Sequence, residues 1–164
     1  MVYDKKMIAV LHNIRSCHNV GSIFRTADAF GCEKIYLSGL TSTPRDIYGR
    51  ENKRVAKVAL GAENFLAWEH IKSTARLIDK LKKNGFIILA LEQNPHSVSL
   101  ADFSLEPKHK YALVLGSETE GLSPAILKRA DKILEIPMLG KKESLNVSVA
   151  FGIALWQCRG RSKI

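Results

Sequence analysis

Apolar and polar positions along the chain fall into two alternating rhythms. Met7–Leu11 is an unbroken apolar run of strand length, and Ile35–Ser38, Phe86–Leu91, Tyr111–Leu115 and Lys132–Ile136 read as further strands. Between them the spacing turns helical. Ile23, Ala27 and Phe30 recur at helical intervals behind Asn19, which reads as a helix N-cap, and Gly31 stands where a left-handed C-terminal cap belongs. Ile71–Lys83 predicts the clearest amphipathic helix, with Ile71, Ala75, Ile78 and Leu81 on one face, lysines on the other and Gly85 just past its end. Ser123 and Pro124 open another helix with an N-cap serine and a proline at its first position. Thr41–Lys57 is polar, marked by Pro and Gly, and ends in a short helix-capable segment; Phe65–Trp68 reads as a short strand, Gln93–His109 mostly as loop and Pro137–Glu143 as loop. Strands alternating with helices predict an α/β domain with a mostly parallel sheet flanked by helices. No repeat, low-complexity segment or linker interrupts the pattern, so residues 1–164 are expected to form one domain.

The last predicted helix breaks the rhythm. Leu145–Gln157 carries no charge, and Val147, Val149, Phe151, Ile153, Leu155 and Trp156 cover every side of it. A helix apolar all round is buried all round. Either it runs through the centre of the core, or its far side packs on a second copy of the chain, two-fold dimers being the commonest oligomers.

Composition narrows the setting. With 46% hydrophobic residues the chain suits a globular protein, and its longest wholly apolar run, Phe86–Leu91, is far too short to span a bilayer. The N-terminus leads into a strand without signal-peptide architecture, and Cys17, Cys32 and Cys158 are an odd, scattered set; both point to free thiols in a reducing cytoplasm. No pair of them has the spacing of a zinc site, and no metal is expected. Twenty-five basic against 16 acidic residues leave a net charge of +9, which points to a polyanionic partner such as nucleic acid. The bases concentrate in Arg45, Arg50, Lys53, Arg54 and Lys57, and again in Arg159, Arg161 and Lys163, where they would neutralise phosphates. No RRM, KH or zinc-finger module is present.

Candidate chemistry lies in three segments. They are Asn19-Val-Gly-Ser-Ile-Phe-Arg25-Thr-Ala-Asp-Ala-Phe-Gly31, Leu115-Gly-Ser-Glu118-Thr-Glu-Gly121-Leu-Ser, and Ile136-Pro-Met138 with Ser144-Leu-Asn146-Val-Ser-Val-Ala150. Loops after strands are the usual ligand positions of open α/β sheets. Gly116 and Gly121 would let a ligand approach the backbone, and Pro137 would free the peptide groups around Ile136 and Met138. The dinucleotide fingerprint G-x-G-x-x-G follows no strand. Glu118 and Glu120 lie two apart, but no His or Asp cluster accompanies them to make a metal site. His12, Cys17 and His18 cluster near the first segment without an orienting third group for nucleophilic catalysis.

In this order and separation, from about Ile8 to Trp156, the three segments resemble the motifs of the SpoU (TrmH-like) RNA 2'-O-methyltransferases, a clade of the SPOUT superfamily. That resemblance implies a deep trefoil knot made by the C-terminal third and a homodimer built largely on the last helix. It implies S-adenosyl-L-methionine as cofactor, held near Leu91, Leu115, Gly116, Gly121, Ile136, Met138 and Leu145. It also makes Arg25 the residue that acts on the target nucleotide. A guanidinium grips phosphate bidentately and stabilises a developing alkoxide; it stays protonated, which favours positioning and electrostatics over base catalysis. Glu118 is the natural partner of Arg25 or Asn19. Ser144 and Asn146 match the third motif, where they would touch the ribose or Arg25, and both are also ordinary N-cap residues. Ser117 stands where the family often has Asn. Many members add an N-terminal RNA-binding segment; this chain starts almost at its first motif and is expected to lack one. The implied activity is methyl transfer to a ribose 2'-hydroxyl of RNA, with tRNA ahead of rRNA. Rival readings are a non-catalytic RNA-binding module of the same fold, against which the intact Arg25, Glu118, Ser144 and Asn146 stand, and a small-molecule α/β enzyme.

Overall fold

Met7 to Leu11 are all buried, and they divide by alternation between two separate apolar clusters: Met7, Ala9 and Leu11 in one, Ile8 and Val10 in the other. A strand with two dry faces belongs inside a sheet covered on both sides. In the computed structural model, which describes residues 6–106 and 108–160, that is where it lies. The strands are β1 (Lys6–His12), β2 (Lys34–Ser38), β3 (Ala67–Ile71), β4 (Phe86–Leu91), β5 (Val98–Ser99), β6 (Lys110–Leu115) and β7 (Lys132–Glu135). They form one seven-stranded sheet in the order β3-β2-β1-β6-β4-β7-β5, every pairing parallel. Parallel pairing puts the C-terminal ends of all the strands on one rim.

Helices α1 (Cys17–Ala29), α2 (Lys53–Ala59), α3 (Ala62–Phe65) and α6 (Val147–Gly160) cover one face. Helices α4 (Thr74–Lys83) and α5 (Pro124–Leu127) cover the other. The α/β reading therefore holds, as a three-layer arrangement. No helix among the described residues is long and apolar enough to cross a membrane.

Several local expectations are corrected. Ser16, not Asn19, caps α1: its hydroxyl accepts from the Asn19 amide at 3.2 Å, which leaves the Asn19 side chain for other partners. Gly31 does take the left-handed conformation, with φ +65°. Ile71 ends β3 instead of opening a helix, and α4 begins behind Ser73 with Leu77, Ile78 and Leu81 turned inward. Phe65–Trp68 is split between α3 and β3, because β3 is an edge strand whose Glu69 and His70 are exposed and whose apolar signal is weak. The loop 93–109 holds the short β5 and a 3-10 turn at Leu100–Asp102.

The last helix is not a central one. Phe151, Ala154 and Leu155 are buried, whereas Val149 is 49% exposed, Ile153 39% and Trp156 62%, with the Trp156 ring edge-on to Phe30 at 6.1 Å. Its far side is apolar and bare on the single chain. Arg159 is also not a surface base. It is buried, donates from Nη2 to the Gly31 carbonyl at 2.8 Å, and sits beside Cys32, whose thiol burial pushes up to about 12. Arg161 and Lys163 lie outside the described residues.

The packing of α1 on α2 depends on Gly21. A Cβ there would lie 2.7 Å from the Val55 carbonyl oxygen and 2.9 Å from the Val58 Cβ. Gly21→Ala must push the helices apart and is expected to cost about 1–3 kcal/mol. Urea denaturation of the two proteins checks this; an unchanged midpoint would show that the helices can part freely.

Candidate active site

The C-terminal ends of β4, β6 and β7 open into a cavity of about 460 Å³. Its walls include Leu91, Leu115, Gly116, Gly121, Ile136, Met138 and Leu145, so the structure brings together every residue expected to hold the cofactor. The ladder of β7 stops at Glu135, and Ile136 and Met138 lie just beyond it along the wall.

The two glycines also meet a demand of the loop itself. A Cβ on Gly116 would lie 2.3 Å from the Gly121 carbonyl carbon, and the Gly121 amide donates to the Ser117 carbonyl at 2.9 Å. The space they free is filled by the loop folding on itself. Gly121 adopts φ +62°, and a Cβ there would meet Glu92 Oε2 at 2.4 Å.

Glu92 belongs to none of the three segments. One carboxylate oxygen accepts from the Leu122 amide at 2.9 Å and the other from the Gln93 amide at 3.1 Å, tying the end of β4 to the loop after β6. Gln93 Nε2 in turn donates to the Glu143 carbonyl at 2.6 Å and holds the third segment. The available signal was a lone acid directly after a buried parallel strand, on the rim where ligands bind. Glu92, Glu118, Glu120 and Glu135 all line the cavity, and none of its described lining residues is Lys, Arg or His. In a protein of net charge +9 this is an acidic hollow, suited to a cationic ligand and hostile to phosphate.

At its edge the three segments meet through one side chain. Asn19 is buried; its Nδ2 donates to Glu118 Oε1, and its Oδ1 accepts from Asn146 Nδ2 at 3.1 Å. Asn146 also caps α6, with its Oδ1 accepting from the Ser148 amide at 2.9 Å, while its Nδ2 faces Asn19 and not Arg25. Ser144 is exposed and lines the cavity. Of the two partners open to Glu118, the structure selects Asn19.

Arg25 lies elsewhere. It is exposed in a second cleft of about 770 Å³, lined also by Arg15, His18, Arg54 and Lys57. Its neighbour Gly21 leaves no room for a substrate, since α2 fills that space. The expected RNA-facing bases divide. Arg54 and Lys57 line this cleft and Lys53 is exposed in the first turn of α2. Arg45 donates to Asn64 Oδ1 at 3.1 Å, and Arg50 pairs with Asp46 at 2.7 Å. Cys17 contacts Ser42 and Asn52, and His12 contacts Thr74 Oγ1 at 2.7 Å, so no Cys–His pair forms. Burial holds His12 below the usual imidazole range.

Residues 6–156 match the family model described as SpoU rRNA Methylase. The chain belongs to the SpoU methylase family. It is 34% identical over 160 residues to the 23S rRNA (guanosine-2'-O-)-methyltransferase RlmB of Ralstonia nicotianae, covering 96% of this chain and 60% of that one. The AdoMet-bound rRNA methyltransferase of Sinorhizobium meliloti superposes with a TM-score of 0.86 at 25% identity, over 97% of this chain and 57% of that one. A structure reported for the 2-OH methylation of C/U34 on tRNA superposes with a TM-score of 0.77 at 25% identity, over 93% of both chains. The chain thus spans less than two thirds of the length of the first two, and nearly all of the third.

Removing the Glu92 tie should loosen the SpoU cavity. Glu92→Ala leaves the Leu122 amide without its charged acceptor, a loss of about 1.5–3 kcal/mol. Thermal denaturation checks the stability, and hydrogen exchange should show faster exchange at residues 116–122 with β1 unchanged. Equal protection of that loop in both proteins would count against the tie.

Proposed function

We propose that this chain binds S-adenosyl-L-methionine in the acidic cavity and transfers its methyl group to a ribose 2'-hydroxyl of RNA. The observation that carries the reading is the meeting of all three motif segments at Asn19, beside an acidic hollow and on the same helix as the motif arginine. Bound S-adenosylmethionine supplies an electrophilic methyl on a cationic sulfur. Backbone groups around Gly116, Ile136 and Met138 would hold its adenosine and methionine parts, and the carboxylates of Glu120 and Glu135 favour its positive charge. Ser144 stands at the mouth, where a ribose would enter. Arg25 grips the phosphate of the target nucleotide and stabilises the negative charge that grows on the 2'-oxygen as its proton leaves; the oxygen gains the methyl as the methyl's bond to sulfur breaks, and S-adenosylhomocysteine is the product left behind. Arg54 and Lys57 hold neighbouring phosphates.

Transfer RNA is the favoured substrate, because a neighbour of matching length is reported for methylation on tRNA. Ribosomal RNA is the alternative, on the strength of the Ralstonia relative. The reading also takes residues 1–164 as one catalytic domain acting in the cytoplasm.

A homodimer through α6 belongs to the same proposal. Val149, Ile153 and Trp156 form the apolar far side such a contact would cover. Within one chain Arg25 does not line the cavity, yet α6 touches both places: Val147 and Ala150 line the cavity, and Gly152 faces Thr26, next to Arg25. A second copy seated on α6 lies beside both. The trefoil knot is likewise part of the reading. Its support is the late insertion of β7 between β4 and β5, after which residues 136–146 must return to α6 on the helical face that holds α1.

Arg25→Ala should leave S-adenosylmethionine binding by calorimetry intact and cut methyl transfer roughly a hundredfold, the scale of losing one oxyanion donor. Arg25→Lys should stay poor, since a point charge does not replace a bidentate fork. A near-normal single-turnover rate for the alanine variant would move the chemistry to Ser144 and Asn146, and no cofactor binding by the wild type would end the enzyme reading.

Trp156→Glu should turn a dimer into a folded monomer, because the ring is exposed on the single chain and would be buried only in the pair. Light scattering at micromolar concentration decides this; a wild-type monomer would refute the assembly.

A further inference from the structure

Residues 44–52, just ahead of α2, raise a small apolar tip outside both clefts. Ile47 is 91% exposed and Tyr48 76%. Both side chains stand almost clear of the rest of the chain. The tip is also held rigidly. Asp46 Oδ1 accepts from the amides of Tyr48 and Arg50, each at 2.9 Å, and Oδ2 accepts from Arg50 Nε at 2.7 Å. The Arg50 amide and side chain hold the Asp46 carboxyl below the usual carboxylate range. The Arg50 guanidinium lies 5.2 Å from the centre of the Tyr48 ring. The base of the turn is closed by the Asn52 amide on the Pro44 carbonyl at 2.8 Å and by a bridge between Arg45 and Glu51.

A carboxylate spent on fixing a turn whose tip is an exposed aromatic ring makes a pre-ordered contact surface. The surrounding charge says what it contacts. Residues 41–57 hold five basic and two acidic side chains, and α2 carries Arg54 and Lys57 on from the turn into the basic cleft of Arg25. A continuous RNA duplex offers phosphates and 2'-hydroxyls but keeps its base faces stacked; an unpaired nucleotide offers a free face to an aromatic ring.

We propose that Tyr48 is a stacking platform for an unpaired base of the RNA, so that the substrate class is looped or single-stranded RNA, with Arg54 and Lys57 holding the phosphates that lead to the target nucleotide. This rests on the RNA methyltransferase reading and adds to it which RNA structure is accepted.

Fluorescence anisotropy with a labelled RNA stem-loop and with a fully paired duplex of the same composition tests it. Tyr48→Ala should weaken stem-loop binding about tenfold, the scale of one lost base–aromatic stack, and leave duplex binding and the salt dependence unchanged. Tyr48→Phe should bind as the wild type does. Arg54→Ala should differ from both, weakening stem-loop and duplex alike and flattening the salt dependence. Equal effects of Tyr48→Ala on the two RNAs, or no effect on either, would overturn the platform while leaving the enzyme reading in place. A drop in mass by light scattering for Tyr48→Ala would also overturn it, by assigning the tip to a contact between copies of the chain. A wild type that binds neither RNA would overturn the platform and the enzyme reading together.

Discussion

A buried carboxamide must satisfy both of its ends or cost about 1–3 kcal/mol for each that it leaves unpaired. Asn19 meets that demand with partners 99 and 127 positions away in the chain. Its amino group holds the loop after β6 and its carbonyl holds the start of α6, so three segments with no local reason to meet are fixed to one another. The other ties depend on this one for their use. Glu92 pins the far end of the Gly116–Gly121 loop, and Gln93 pins the segment before Ser144, but neither reaches α1. Without Asn19 the cavity would keep its floor and lose the register of its rim.

Charge is sorted across α1. Its first turn looks toward an acidic hollow through Asn19 and Glu118, and its exposed stripe at His18 and Arg25 looks toward a basic cleft. A polyanion is drawn to the second and kept from the first, while a small cation has the opposite preference. Two ligands of opposite charge can therefore be collected by one short helix without competing for the same surface.

Much of this was legible in the residues. Strands buried on both faces announce themselves, because Met7–Leu11 and Tyr111–Leu115 are apolar at every position. Gly31 declared the end of α1 through the backbone it must adopt. The misreadings have physical causes. Ser16 and Asn19 are both good capping residues three apart, and only the distant partners of Asn19 tell which one caps. β3 is an edge strand with polar side chains, so Ala67–Ile71 lacks the signal that marks the central strands. Arg159 looked like surface because of its charge, whereas its guanidinium pairs with the Gly31 carbonyl under the end of α1. Arg25 and Glu118 share a family resemblance, but chain order does not tell that they face different clefts. Glu92 carries no periodicity at all; its role exists only through a loop thirty residues later.

The place of β7 in the sheet has a consequence for how the protein is made. Residues 132–135 fill the gap between β4 and β5, both of which leave the ribosome earlier. Until they arrive, one side of β4 presents unpaired amides and carbonyls along a strand as apolar as Phe86–Leu91. Such an edge accepts any other strand that offers itself. The nascent chain therefore passes through a period in which the sheet is open beside its most adhesive strand, and closing it requires the same late segments that complete the cavity. Synthesis that stalls before β7 leaves a chain without a site and with an edge prone to aggregation.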